Sequence, residues 1–177
     1  SIKNIFDKIK IFINVQYSKK QKKIISKLLK KIKPDIVHIH NFFPLITPSV
    51  FDACKENNVP VVFTLHNYRL ICPSGMLMYN DKIYEKSIYK GPYSTVLDKV
   101  YKNSYFGTFA LARMISYHKN KKTWENKVDQ FIALTKFAKS KYIESGFNDK
   151  KFSIKPNFFI SHSELINNKN RDGALYV

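Results

Sequence analysis

Cysteine, glycine and arginine are all scarce in this 177-residue chain, and each scarcity closes a class of chemistry. Two cysteines, Cys54 and Cys72, cannot build a disulfide framework or a four-thiolate zinc site, and they suit a reducing compartment. Five glycines, with no G-x-G-x-x-G and no Walker-type loop among them, leave a classical dinucleotide or P-loop site without support. Long hydrophobic runs are missing too: the most apolar stretch, from Phe106 to Ile115, is bordered or interrupted by Lys99, Lys102 and Arg113. It falls far short of the ~20 uncharged residues that a membrane span needs. An N-terminal apolar block with a small-residue cleavage site is absent as well, so the chain reads as cytoplasmic.

Acid is the other shortage, with 13 Asp+Glu against 31 Lys+Arg and a formal charge of +18. Only Arg69, Arg113 and Arg171 among the basic residues are arginine. A surface selected for nucleic acid would use arginine's planar fork, so this lysine excess fits codon composition better than a nucleic-acid interface. Its densest run, Lys19, Lys20, Lys22, Lys23, Lys27, Lys30, Lys31 and Lys33, reads first as a solvated helix face. Its field would still favour an anionic membrane surface or phosphorylated ligands. A hydrophobic share of 44%, with 15% aromatic residues, supplies a real core and excludes global disorder.

Residues 2–15 and 24–32 place Ile, Leu and Phe at helical spacing and predict two amphipathic helices. Pro34 breaks the second, and the β-branched run 35–40 predicts a buried strand. Thr47-Pro48-Ser49 then supplies an N-cap and a proline for a helix that runs to Asn57-Asn58. A second strand is expected over 60–66 and a long functional loop over 67–94. One helix over 95–118, a strand over 129–134, a helix over 136–144 stopped by Gly146 and a short strand over 152–155 complete the pattern. This alternation is that of an α/β protein with a Rossmann-like, doubly wound parallel sheet.

In such sheets ligands sit beyond the carboxyl ends of the strands. There this sequence places His40-Asn41, His66-Asn67, Thr135 and Asn157. His66 ends a strand and opens the long loop, where an imidazole can exchange hydrogen bonds or a proton with a hydroxyl or phosphate. Arg69 follows three residues later as a clamp for phosphate or carboxylate, with a surface ion pair as the plainer alternative. Phosphate could also be met by the helix start at Thr47-Pro48-Ser49. His38 and His40 share one strand face and could offer two imidazoles to one metal, against a packed, hydrogen-bonded His38 as the plainer reading.

The runs Lys33-Pro34-Asp35-Ile36-Val37-His38-Ile39-His40-Asn41, Thr64-Leu65-His66-Asn67-Tyr68-Arg69-Leu70-Ile71-Cys72-Pro73, Phe131-Ile132-Ala133-Leu134-Thr135 and Lys155-Pro156-Asn157, in this order, resemble the N-terminal half of family-four glycosyltransferases. The resemblance covers about residues 20–160. It implies a GT-B architecture, two Rossmann-like domains facing across a cleft, with the acceptor on the first and a nucleotide sugar on the second. It further implies a retaining transfer to a lipid-linked or polysaccharide acceptor of bacterial capsule, cell-wall or lipopolysaccharide type, with no metal and no cofactor beyond the donor. His66 corresponds to the cleft histidine and is the expected catalytic residue. His40, Asn41, Asn67, Arg69 and Thr135 are the expected substrate-binding residues. Tyr84 and Ser87 stand where some relatives carry a C-x-x-C, so neither metal nor disulfide is expected in that loop.

In this register residues 1–170 form the acceptor domain without its first strand, and 171–177 begin the nucleotide-sugar domain. The piece alone is expected to be inactive, and the loss of a central first strand should leave a neighbouring strand unpaired. The expected partners are the nucleotide sugar, the acceptor and an anionic membrane surface approached by the lysine-rich helices and the apolar 105–117 segment. A peripheral position on the inner face of the plasma membrane follows, with no nucleic acid expected. The readings outside this family are a basic module binding nucleic acid or anionic lipid, and an H-x-H metal-dependent hydrolase.

Overall fold

Residues 14–158 are described by the computed structural model. The helix expected over 2–15 falls almost wholly outside them, as do residues 171–177. Helix α1, Lys19–Ile32, starts where the Ser18 hydroxyl accepts from the Gln21 amide at 3.3 Å. It stops at Lys33, whose left-handed φ of 51° and the following Pro34 end the ladder. Strand β1, Val37–Ile39, and helix α2, Ser49–Glu56, come next, followed by β2, Val61–Leu65. A two-stranded hairpin of β3, Met78–Tyr79, and β4, Lys82–Ile83, precedes the short α3, Lys86–Lys90. Then follow α4, Tyr105–Asn120, α5, Thr123–Lys127, β5, Gln130–Ala133, α6, Lys136–Glu144, and β6, Phe152–Ile154.

The main sheet has the order β1-β2-β5-β6 and every pairing is parallel, in register Ile39 to Phe63, Phe63 to Phe131 and Phe131 to Phe152. This is the Rossmann-like α/β sheet that the alternation of elements predicts. The register lines Phe63, Phe131 and Phe152 along one face, because side chains two apart in a strand share a side. Phe51 of α2 and Trp124 of α5 close on that face through ring contacts of 5.3–5.7 Å that include Phe42, and Tyr142 of α6 packs 5.9 Å from Phe152. Phe51, Phe131 and Tyr142 are essentially inaccessible to solvent. The opposite face carries His38, Val62, Gln130, Ile132 and Ser153, all exposed or half-buried, with Thr64 as its buried member. Among the described residues β1 is an edge strand.

Four sequence expectations need correction. The single helix over 95–118 is a 3₁₀ turn at Pro92–Thr95, a run of turns and then α4, which begins at Tyr105. Lys99, Lys102 and Asn103 all have φ near +50°, and the helix is restarted by Ser104, whose hydroxyl accepts from the Gly107 amide at 3.1 Å. The loop over 67–94 contains the hairpin and α3, and α5 was not foreseen. The strands are shorter than expected by one to three residues, since pairing stops before the flanking residues: β1 covers 37–39 of the expected 35–40. Finally, the start of α2 is no open phosphate site. Thr47 and Ser49 are buried, and the Thr47 hydroxyl accepts from the Ser18 and Ser49 amides at 3.2 and 3.5 Å.

Candidate functional site

Strands β1 and β2 end at the same sheet edge, each on a His-Asn pair, His40-Asn41 and His66-Asn67. The two asparagines do the same local work: Asn41 Oδ1 accepts from the Phe43 amide at 2.9 Å and Asn67 Oδ1 from the Arg69 amide at 3.0 Å. These Asx turns fold the chain back over the edge and leave each preceding histidine exposed at the turn. His40 Nδ1 lies 2.8 Å from His66 Nε2, with the rings stacked at 5.1 Å. A cavity of about 190 Å³ opens there, lined by both His-Asn pairs, Phe43 and Arg69 among others.

The bond between two imidazoles holds a single proton. With both rings neutral, one nitrogen of the bond donates and the other accepts, so the two remaining nitrogens are one donor and one acceptor in either tautomeric arrangement. Uptake of one further proton makes both of them donors. The pair can therefore exchange a proton with a hydroxyl or donate to a phosphate oxygen. His38 takes part differently: its Nε2 is 2.7 Å from Thr64 Oγ1 and its ring centroid 4.2 Å from that of His40. Desolvation first, then the neighbouring His40, Lys155 and His66, lowers the His38 pKa from its usual value. His38 is hydrogen-bonded as expected but exposed rather than packed.

His38 is thus bonded to Thr64 on β2 and His40 to His66 just past its end. Among the described residues no group of three or more His, Cys, Asp or Glu is placed to hold a metal ion. Both cysteines are free and buried, and burial pushes the Cys54 thiol up to about 11, away from nucleophilic use.

Arg69 lines the cavity but its guanidinium is boxed in. It sits 5.2 Å from the Phe43 ring centroid and 5.1 Å from that of Tyr101, and its Nη1 donates to the Pro73 carbonyl. Burial lowers its pKa while leaving it a cation. Gly75 closes the box: a Cβ there would stand 2.7 Å from Arg69 Nη2, and its φ is +78°. The same turn is pinned by the Tyr68 amide donating to the Gly75 carbonyl at 2.8 Å and by the buried Tyr142 hydroxyl donating to the Asn67 carbonyl at 2.5 Å. Further along, Tyr84 and Lys86 both donate to Asp98, and Lys86, then Tyr84, holds that carboxyl below its ordinary pKa. Phe43, Tyr101, Gly75 and Tyr142 escaped sequence reasoning. Only Gly75, a glycine just past Pro73 in the loop after a strand, carried a local signal.

Thr135 lies at the end of the next strand, where its hydroxyl accepts from the Ala138 amide at 2.9 Å as the N-cap of α6. It shares the sheet edge with the histidines, through the pairing of Leu65 with Ala133, without lining their cavity. No curated protein and no solved structure gives a significant match to the chain. Residues 11–159, well over half the sequence, match the family described as Glycosyltransferase Family 4, and the chain belongs to it.

Proposed function

We propose that this chain is the acceptor-side half of a retaining sugar transferase that moves a sugar from a nucleotide-sugar donor to a lipid-linked or polysaccharide acceptor. The observation that carries the reading is the His40–His66 pair, hydrogen-bonded at 2.8 Å at the mouth of a cavity where two strands end, in a chain of this family. His66 is the catalytic candidate, and its outward nitrogen is the one that meets the transferred sugar or its phosphates. His40 holds its ring, Asn41 and Asn67 shape the two walls, and Arg69 adds a fixed positive charge. Thr135 stands at the neighbouring strand end. In this reading the nucleotide-sugar donor is held by a second α/β domain of the enzyme.

The test is sugar-nucleotide turnover by the full-length enzyme, wild type against His66→Ala. Placing or withdrawing a proton at the reacting group contributes roughly 10²–10⁴-fold in rate, so a loss of that order is expected. Unchanged turnover in a folded His66→Ala enzyme removes the residue from the cleft chemistry.

A further inference from the structure

His66 lies one residue past Leu65, the last paired position of β2, so the strand ladder does not itself fix its backbone. The turn that follows has to place it. Bonds within residues 67–75 give that turn its shape, among them the Arg69 amide donating to Asn67 Oδ1 and the Tyr68 amide donating to the Gly75 carbonyl. The bond from the Tyr142 hydroxyl to the Asn67 carbonyl, at 2.5 Å, is of another kind, because it reaches the turn from α6, 75 positions away. Tyr142 is well held for this task. It is 1% exposed, its ring is stacked 6.0 Å from Tyr68 and stands edge-on to Phe147 at 5.2 Å, and its neighbour Lys141 pairs with Glu85 at 2.9 Å, which ties α6 to the same long loop. Burial pushes the Tyr142 phenol well above its ordinary pKa, so the hydroxyl remains a donor at any working pH.

We propose that Tyr142 is a positioning residue for the candidate site: by holding the Asn67 carbonyl it keeps the His66 ring at its 2.8 Å bond to His40. The inference rests on the proposed role of His66 and adds to it a side chain that does not line the cavity. Removing the hydroxyl alone leaves the aromatic ring in the core and releases one carbonyl, so the perturbation travels to the imidazole pair through the Asn67 turn. A misplacement of about 1 Å made at a distance from the reacting atoms is enough to cost ~10²-fold in rate.

The experiment compares the full-length enzyme with Tyr142→Phe and Phe147→Leu, each labelled with ¹⁵N-histidine, by nuclear magnetic resonance of the ring nitrogens and by sugar-nucleotide turnover. Tyr142→Phe should shift the ring-nitrogen resonances of both His40 and His66, because the bond between them sets which nitrogen carries the proton. It should also lower kcat by ~10–100-fold while KM stays within about threefold, the pattern of a group misplaced in the transition state. Phe147→Leu loosens the packing around the same ring but keeps the hydroxyl, so it should lower the melting temperature and leave both the histidine resonances and kcat as in wild type. Unmoved His40 and His66 resonances in Tyr142→Phe would overturn the proposal, and so would the same shifts and rate loss in Phe147→Leu. An unchanged kcat in Tyr142→Phe, where His66→Ala lowers it, would overturn it as well. The resonances need no turnover, so a failure of the positioning is told apart from a failure of the site reading, which shows instead as unchanged turnover in His66→Ala.

Discussion

Replacing His118 should damage the fold severely, and its effect should depend on pH. The ring is 2% exposed at the end of α4. Its Nε2 is 2.7 Å from the Gln16 carbonyl, which can only accept, so Nε2 carries the proton and Nδ1 of the neutral ring accepts from the Thr123 hydroxyl at 2.9 Å. One imidazole thereby ties the N-terminal segment, α4 and α5 together, with Trp124 5.3 Å away. His118→Ala strands a carbonyl and a hydroxyl and opens a cavity, a loss of about 3–5 kcal/mol out of the 5–15 typical of a domain. Burial lowers the His118 pKa most; the Gln16 carbonyl and Asp52 work against this, and Lys127 adds to it. The unfolded ring, titrating near 6.5, then takes up a proton that the folded ring refuses. Stability should therefore be fully present above that value and fall as pH drops below it, by at most ~1.4 kcal/mol per pH unit, until the folded ring itself titrates. Urea denaturation of wild type and His118→Gln from pH 8 to pH 5 measures this directly. Because the other titrating groups, His38 included, remain in both proteins, the same pH slope in each would refute the reasoning.

Gly75→Ala should cost about 1–3 kcal/mol, from a left-handed φ and a Cβ placed 2.7 Å from Arg69 Nη2, and should loosen the Phe43–Arg69–Tyr101 stack. A thermal melt and near-ultraviolet dichroism identical to wild type would show that the guanidinium is not boxed. Thr135→Ala should cost about 1 kcal/mol by removing the cap of α6, and equal stability in denaturant would show that the 2.9 Å bond to Ala138 does no capping work.

Much of the framework could be read from local chemistry. Proline at 34 and 60, β-branched runs after each, and Gly146 at a helix end all point to the elements that form. The failures have physical causes of the same local kind. Val96, Val100 and Phe106 can be threaded on a helical period, but Ser104 offers a better helix start with Gly107 three residues on, and the turns before it are closed by the Tyr101 amide donating to the Thr108 hydroxyl at 3.1 Å. The β3–β4 hairpin turns through Asn80 and Asp81, both at positive φ, a turn that asparagine and aspartate tolerate without the glycine that a reader looks for. Arg69's box is invisible in sequence because Phe43 and Tyr101 reach it from 26 and 32 positions away.

The candidate site shows most clearly what strand register adds to a motif. His38 and His40, two apart on one strand, suggest two ligands converging on a single ion. In register, however, His38 stands opposite Val62 and His40 one pair beyond Phe63, so each imidazole lies beside the same face of β2 as Thr64 and His66. Each then reaches diagonally to the residue 26 positions on, His38 to Thr64 at 2.7 Å and His40 to His66 at 2.8 Å. The repeat of two along β1 is matched by the repeat of two along β2, and the two diagonals are equivalent by geometry while differing in chemistry. Thr64 is buried and holds His38 at the sheet's open face, whereas His66 lies past the last paired residue, at the cavity. Parallel pairing is thus what carries the repeat of two on β1 into a hydrogen bond between His40 and His66, which leaves one outward donor and one outward acceptor at the strand ends.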